Sequence, residues 1–424
     1  MKKLTVVLLS AVMLLSSGCN NATRKEQGTS RAVETEAVVS LDESAAETVR
    51  ADVKTVTGGK FPGGQAIEEL GAFKGSGYFL LSDGAYYIDA YSSAGRMSFA
   101  DFASLNSFPV CSKPNCLHDD PGTCSAFGLS NGADVMLCSY GGSIYFVENI
   151  REMSAKGGIS SCANIYKAAA DGSKRRKVAT LEGYTLSGLF VSGDRGYTVA
   201  AEEIAGESGL LAAEYNYFAE SFDFKTNELK NLGQIAHLYT SDTVGVIGEY
   251  GGKIYYMSVG AEELPEGLSA ASPDYFDSLH ALTVTRIFAL DPESGSITES
   301  ELPVPGNREG MNWPAPDIVA AAEGFYVCQQ GNTAVIASPD GSIRKIENHR
   351  LTERAADYPV NGMMFNAETL LATELMTGDI YRLRAGAIGE NEAITAYYEG
   401  SYIVFDQFTR EFRKLLPAEL FEEE

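Results

Sequence analysis

The feature that most constrains this chain is a repeated unit of four short β-rich runs. It is clearest at 135–181, where runs at 135–140 and 143–148 flank Gly141-Gly142, and runs at 164–170 and 174–181 flank Asp171-Gly172. A second copy spans 244–302, a third 318–347 and a weaker fourth 189–232, with partial copies at 77–99 and 402–416. Glycine supplies the positive φ that tight hairpins need, and aspartate binds the backbone two residues on. No long stretch keeps a helical period, so little helix is expected. Four-stranded antiparallel units repeating every ~40–60 residues are the pattern of β-propeller blades, because a lone blade cannot cover both its faces and a ring of them can. The predicted fold is all-β. Hairpins marked by Asp89, Asp171, Asn227, Asp291, Asp340 and Asp406 predict six blades. The stretch 363–384, with its Thr377-Gly378 turn, makes seven the alternative. The two terminal partial copies are expected to share a closing blade.

Ahead of the repeats the chain reads as an export leader and a tether. Lys2 and Lys3 precede an apolar run at 4–15, too short for a bilayer core, which takes ~20 residues, and of the length found in signal peptides. Ser16-Ser17-Gly18-Cys19 follows, and small residues before a cysteine resemble the lipobox of bacterial lipoproteins. That resemblance implies cleavage after residue 18 and lipidation of Cys19. It places the protein on the outer face of the cytoplasmic membrane, in the cell envelope, with the lipid as sole membrane anchor. Ser16 departs from the aliphatic residue usual there. Residues 19–60 hold no aromatic residue and read as a flexible tether, leaving 61–424 as the propeller domain.

The repeats resemble TolB-like and low-density-lipoprotein-receptor-like propellers. The likeness rests on Gly142-Ser143-Ile144-Tyr145-Phe146, on Ile165-Tyr166 leading to Asp171-Gly172, and on Ser338-Pro339-Asp340-Gly341. The segment from Cys111 through Cys116 and His118 to Cys124 is similar to one in envelope propellers of anaerobic Gram-positive bacteria. The resemblance implies fold and carries almost no activity.

Net charge is −24, and loss of residues 1–18, with two lysines and no acid, leaves −26. Such a surface disfavours nucleic acid and anionic headgroups. Connections within and between repeats differ in length. Those at 149–163, 202–216 and 260–281, and those at 112–133, 305–317 and 348–360, are long, and in a four-stranded meander both classes emerge on one end of the ring. Elaborated loops usually carry function, so this end is the expected binding face, with Trp313, Tyr275, Phe276, Arg308 and His280 as candidates. The alternative is that these side chains pack the loops onto the ring.

Cys111, Cys116, His118 and Cys124 share one polar loop, 111–124. Three thiols and an imidazole suffice for a closed tetrahedral zinc site of structural type. A disulfide is the rival outside the cytoplasm, and free thiols are the third reading. Cys138, Cys162 and Cys328 sit in or beside apolar strands and read as small buried hydrophobes.

Gly128-Leu129-Ser130-Asn131-Gly132 matches the nucleophile-elbow pattern but lacks the strand before it and the helix after it. No phosphate-binding loop stands in a strand–helix context. These signals argue against catalysis. The sequence points to a monomeric binding or scaffold module that engages a protein, peptide or glycan. The alternative is an envelope enzyme of polysaccharide lyase or glycosidase type.

Overall fold

The computed structural model describes most of residues 78–299 and 360–423, the strand backbone between 317 and 347, and the short stretches 47–49, 53–57 and 60–62. Cys19 and the leader lie outside the described residues, as do Arg308, Trp313 and the 128–132 motif.

Six sheets have four or five strands and a seventh has three. Two N-terminal strands come first, β1 (Glu47–Val49) and β2 (Val53–Lys54). The first blade is β3 (Tyr78–Leu80), β4 (Gly84–Tyr91), β5 (Ala94–Asp101) and β6 (Asn106–Pro109). The second is β7 (Val135–Tyr140), β8 (Ser143–Met153), β9 (Ile159–Ala169) and β10 (Arg176–Glu182). The third is β11 (Tyr184–Ser192), β12 (Arg195–Ala205), β13 (Ala212–Asp223) and β14 (Leu229–Leu238). The fourth is β15 (Val244–Tyr250), β16 (Lys253–Ala261), β17 (Thr283–Leu290) and β18 (Ile297–Glu299), with helix α1 (Tyr275–Ala281) between β16 and β17. The fifth is β19 (Asp317–Ala322), β20 (Phe325–Gln330), β21 (Thr333–Ala337) and β22 (Ile343–Glu347). The sixth is β23 (Met363–Asn366), β24 (Leu371–Glu374) and β25 (Ile380–Arg382), completed by β2. The three-stranded sheet is β26 (Glu392–Tyr398), β27 (Ser401–Asp406) and β28 (Phe412–Leu415), followed by a one-turn helix α2 (Pro417–Leu420).

This is a β-propeller, and its six blades of four or more strands match the expected number. The three-stranded sheet stands between the sixth blade and the first. Ile394, Tyr402 and Val404 pack against Met363 and Phe365 on one side. Ala396, Ile403 and Phe412 pack against Ala85, Tyr87 and Phe102 on the other. The terminal partial copies therefore do not share a blade: 77–99 opens the first blade and 402–416 lies in the three-stranded sheet. Adjacent blades meet through their first strands, β3 beside β7, β7 beside β11, β11 beside β15 and β15 beside β19.

The turns follow the sequence chemistry. Gly141 and Gly142 have φ of 56° and 70°, and Gly251 and Gly252 have 58° and 77°. Asp171 accepts from the Ser173 N–H at 2.9 Å, Asp291 from Glu293 and Ser294 at 2.8 and 3.1 Å, and Asp406 from Phe408 and Thr409 at 2.7 and 2.8 Å. In the third blade the capping residue is Asp223, and Asn227 instead takes a left-handed φ of 62°. Asp89 lies within β4, opposite Arg96, and marks no turn.

Two expectations need correction. Residues 47–49 and 53–56, inside the expected tether, meet the blades. β1 pairs in parallel with β22, β2 pairs in parallel with β25, and Val56 bridges Glu423. Val56 is 2% exposed and packs with Leu383, Leu420 and Phe421. Edge strands of two or three residues are too short for a period to show. The connections at 149–163 and 202–216 are also mostly strand: β8 and β9 stay paired out to Met153 and Ile159, and β12 and β13 out to Ala205 and Ala212. Their polar sequences suit a two-stranded ribbon that runs past the core. Arg151 of one ribbon meets Glu203 of the next at 2.8 Å. Among the described residues no helix is long and apolar enough to cross a membrane.

Two variants test this packing. Gly172 has φ of 77°, and a Cβ there would lie 2.3 Å from the Val110 carbonyl oxygen. Gly172→Ala is expected to cost about 2–4 kcal/mol, through left-handed strain and the clash with backbone, read as a lower midpoint in denaturant. Glu220 is 4% exposed, burial pushes its carboxyl pKa up, and it accepts a hydrogen bond from Asn231 Nδ2 at 2.8 Å. A carboxyl whose folded pKa is raised binds more protons folded than unfolded, so stability falls as pH rises through that range. Glu220→Gln keeps the acceptor for Asn231. It is expected to raise the thermal midpoint at pH 7, with the gain disappearing below the unfolded carboxylate range.

Candidate metal centre

The cysteine loop begins where the first blade loses its fourth strand. Val110 donates its N–H to the Met97 carbonyl at 2.9 Å, and the chain then leaves β5. Ala126 returns to take its place, its carbonyl accepting the Met97 N–H at 2.9 Å. Both ends of the loop are thus held by one residue of β5. Between them the chain reverses at Asn115 and His118, with left-handed φ of 55° and 58°. Asp120 organises the return. Its side chain accepts from the Gly122 N–H at 2.8 Å and the Thr123 hydroxyl at 3.0 Å, and its carbonyl accepts from the Cys124 N–H at 3.0 Å. Ala126, Phe127 and Cys124, all under 5% exposed, form a small apolar floor with Cys111 and Cys116 against it.

This fold brings together all four of the residues that the sequence singled out. The Cys111, Cys116 and Cys124 sulfurs and a ring nitrogen of His118 lie within 4.8 Å of one another. His118 Nδ1 is 3.4 Å from Cys124 Sγ. A tetrahedral zinc ion sets neighbouring sulfur and nitrogen donors about 3.3–3.8 Å apart, so the cluster needs only a small contraction to hold one. The thiols are free, with no disulfide among the described cysteines.

The surroundings suit thiolate. Burial pushes the Cys111 thiol up, but the Ser125 hydroxyl, the Lys113 and Ser125 N–H groups and the Cys124 thiol together outweigh it and bring it down to about 6. The Ser125 hydroxyl is 3.1 Å from Cys111 Sγ. At neutral pH Cys111 is then largely the ligating, nucleophilic form. Cys124 goes the other way, to about 11, through burial and the neighbouring sulfurs, against a hydrogen bond from the Ala126 N–H. In both turns the donor is the N–H two residues after the cysteine. Three sulfurs this close cannot all ionise without a cation between them.

The other cysteines differ. Cys138 is 1% exposed and burial raises its pKa strongly, as expected of a small core hydrophobe. Cys162 is half-buried at the edge of β9, and burial and Glu182 push it up.

Of the proposed binding-face residues, Tyr275 is the one whose side chain is described. Tyr275 is 6% exposed, packs with Ala261 and Leu279, and donates its hydroxyl to the Tyr239 carbonyl at 3.4 Å. It fastens α1 to the fourth blade and presents no ring at the surface, the loop-packing role that stood as the alternative. Phe276 and His280 lie on α1 by their backbone; their side chains, with Arg308 and Trp313, are outside the described residues.

No protein-family model matches the chain, and no curated protein matches it. Among solved structures, TolB from Acinetobacter baumannii aligns over 80% of this chain and 65% of its own, at 13% identity and a TM-score of 0.33. The β-propeller domain of the Trilobed protease from Pyrococcus furiosus aligns over 83% of this chain and 96% of its own, at 13% identity and a TM-score of 0.40. An ulvan lyase of polysaccharide lyase family PL25 aligns over 84% and 96%, at 10% identity and a TM-score of 0.35. The propeller is established by the chain's own sheet order, to which scores this low add nothing.

Protein purified without chelator is expected to carry about one metal ion per chain by elemental analysis, with Cys111, Cys116 and Cys124 shielded from a thiol reagent until a chelator is added. Metal-free protein with two of these thiols already blocked would mean a disulfide instead.

Proposed function

We propose that this is a lipoprotein of the cell envelope, anchored through Cys19, whose propeller is a non-catalytic binding module stapled by one zinc ion at Cys111, Cys116, His118 and Cys124. The observation that carries the metal part is the closed donor set. Four protein ligands fill a tetrahedron and leave no position for substrate or water, which is the arrangement of structural rather than catalytic zinc. Such an ion fastens a long loop with a floor of only a few apolar residues. At free zinc roughly 1,000-fold above the dissociation constant, the staple contributes about 4 kcal/mol.

The binding reading is supported by the paired polar ends of β8–β9 and β12–β13, which are cross-linked by Arg151 and Glu203. These ends would offer a polar surface to a protein, peptide or glycan. A chain of net charge −24 is a poor ligand for nucleic acid or an anionic bilayer, which leaves the lipid on Cys19 as its membrane attachment.

Cys19→Ala is expected to move the protein from the membrane fraction to the soluble one and to abolish labelling by a fatty-acid analogue. A soluble chain of residues 20–424, made without the leader, should keep β1 and β2 and is suited to affinity capture from envelope extracts and to a glycan array. Saturable capture of one partner supports the binding module. Cleavage of an envelope polysaccharide by the purified chain would replace this reading with an enzyme.

A further inference from the structure

A centre of three thiolates, one neutral imidazole and a divalent ion carries one net negative charge. It sits in a chain that is itself at −24. Yet basic side chains from three separate places converge on this loop. Arg96, on β5, donates Nη1 to the His118 carbonyl at 3.3 Å. Arg175, ahead of β10, donates Nη1 to the Phe127 carbonyl at 2.9 Å while its guanidinium lies over the rings of Phe146 and Tyr166. Lys113, inside the loop, donates to the Thr123 carbonyl. Arg175 and Lys113 hold the loop's frame. Of the three, Arg96 is the one that grips a ligand residue.

That grip falls where the backbone is least at ease. His118 has a left-handed φ of 58°, uncommon for a residue with a side chain. The conformation turns its imidazole toward Cys124, with Nδ1 3.4 Å from the sulfur, while its carbonyl points to Arg96. Arg96 is also on the strand whose Met97 holds both ends of the loop. The residue that fixes the imidazole and the residue that fixes the loop are therefore neighbours on one rigid element.

We propose that Arg96 is the positioning residue of the metal centre. It holds His118 in the conformation that delivers the imidazole, and its charge balances the net-negative tetrahedron. This rests on the metal reading above. With Arg96 alongside, three thiolates and a divalent ion are charge-neutral.

The test uses the mature chain stripped of metal and reloaded with Zn(II) or Co(II). Affinity is read by competition with a chromophoric chelator, and coordination by the visible Co(II) bands. Wild type should bind one ion with a tetrahedral Co(II) spectrum. Arg96→Gln should bind ~10–100-fold more weakly, with Arg96→Lys, which keeps the charge and loses the planar fork, in between. The Arg96→Gln loss should shrink in a His118→Ala background, because the two residues act through one contact. Far-UV circular dichroism of the metal-free variants checks that the ring has folded; should Arg96→Gln fail that check, Arg96→Lys carries the comparison. One ion in wild type and unchanged affinity in the folded variants would overturn the role of Arg96 alone, as would a loss of the same size with and without His118. A wild-type chain that takes up no ion would overturn the zinc site and this role together.

Discussion

Every blade in this ring must be covered on both of its faces, and the rest of the structure depends on that. The second strands show it directly. Ile144, Tyr145, Phe146 and Val147 are consecutive on β8 and are 0–3% exposed, although neighbouring residues on a strand point to opposite sides. All of Ile254 to Ala261 on β16 is buried, and so are Ser401 to Val404 on β27. Each large side chain removed from water there contributes about 1.5–3 kcal/mol, and half of them face the blade before while half face the blade after. Polar contacts then set the blades' relative alignment: Asn149 bonds both the N–H and the carbonyl of Leu186 across the second–third boundary, and the Ser187 hydroxyl reaches the Val244 carbonyl across the next. Fourth strands, on the outside, lose this cover: β6 and β18 are largely exposed, and β10 has no buried residue.

The same constraint explains what was legible in the sequence. A strand buried on both faces appears as a short unbroken apolar run, and Gly or Asp turns punctuate those runs. The Gly141-Gly142 and Gly251-Gly252 hairpins and the Asp171, Asp291 and Asp406 caps were therefore readable from local chemistry. The strand that completes the sixth blade was not. Val53 and Lys54 pair with Ile380 and Tyr381, more than 300 residues later in the chain, and nothing in a two-residue strand announces its partner. The ribbons at 149–163 and 202–216 were misread as loops because backbone pairing, not apolar burial, sustains them. For Tyr275 the sequence left contact and loop packing open, because an aromatic ring in a polar segment fits either until the small cluster beneath it is known.

The cluster of Cys111, Cys116, His118 and Cys124 was legible because loop closure brings together side chains only a few positions apart. Spacing could not decide between metal and disulfide. What bears on that choice is the donor groups turned toward sulfur, the Ser125 hydroxyl and the N–H groups that follow Cys111 and Cys124. Donors favour a charged thiolate and do little for a neutral disulfide. Arg96 was invisible, since an arginine on a strand 15 residues before the first ligand belongs to no motif.

The N-terminal strands have a mechanical meaning. β1 and β2 lie parallel to β22 and β25 on the rims of the fifth and sixth blades, and Val56 is then sunk beside Leu420 and Phe421. A pull along the chain from its N-terminal side would load these short ladders in shear, several hydrogen bonds at once, instead of unzipping them singly. The force would be spread over two blades and the C-terminal segment before any blade had to open. A ring built this way can be pulled from its N-terminal side without the blades being the first to open.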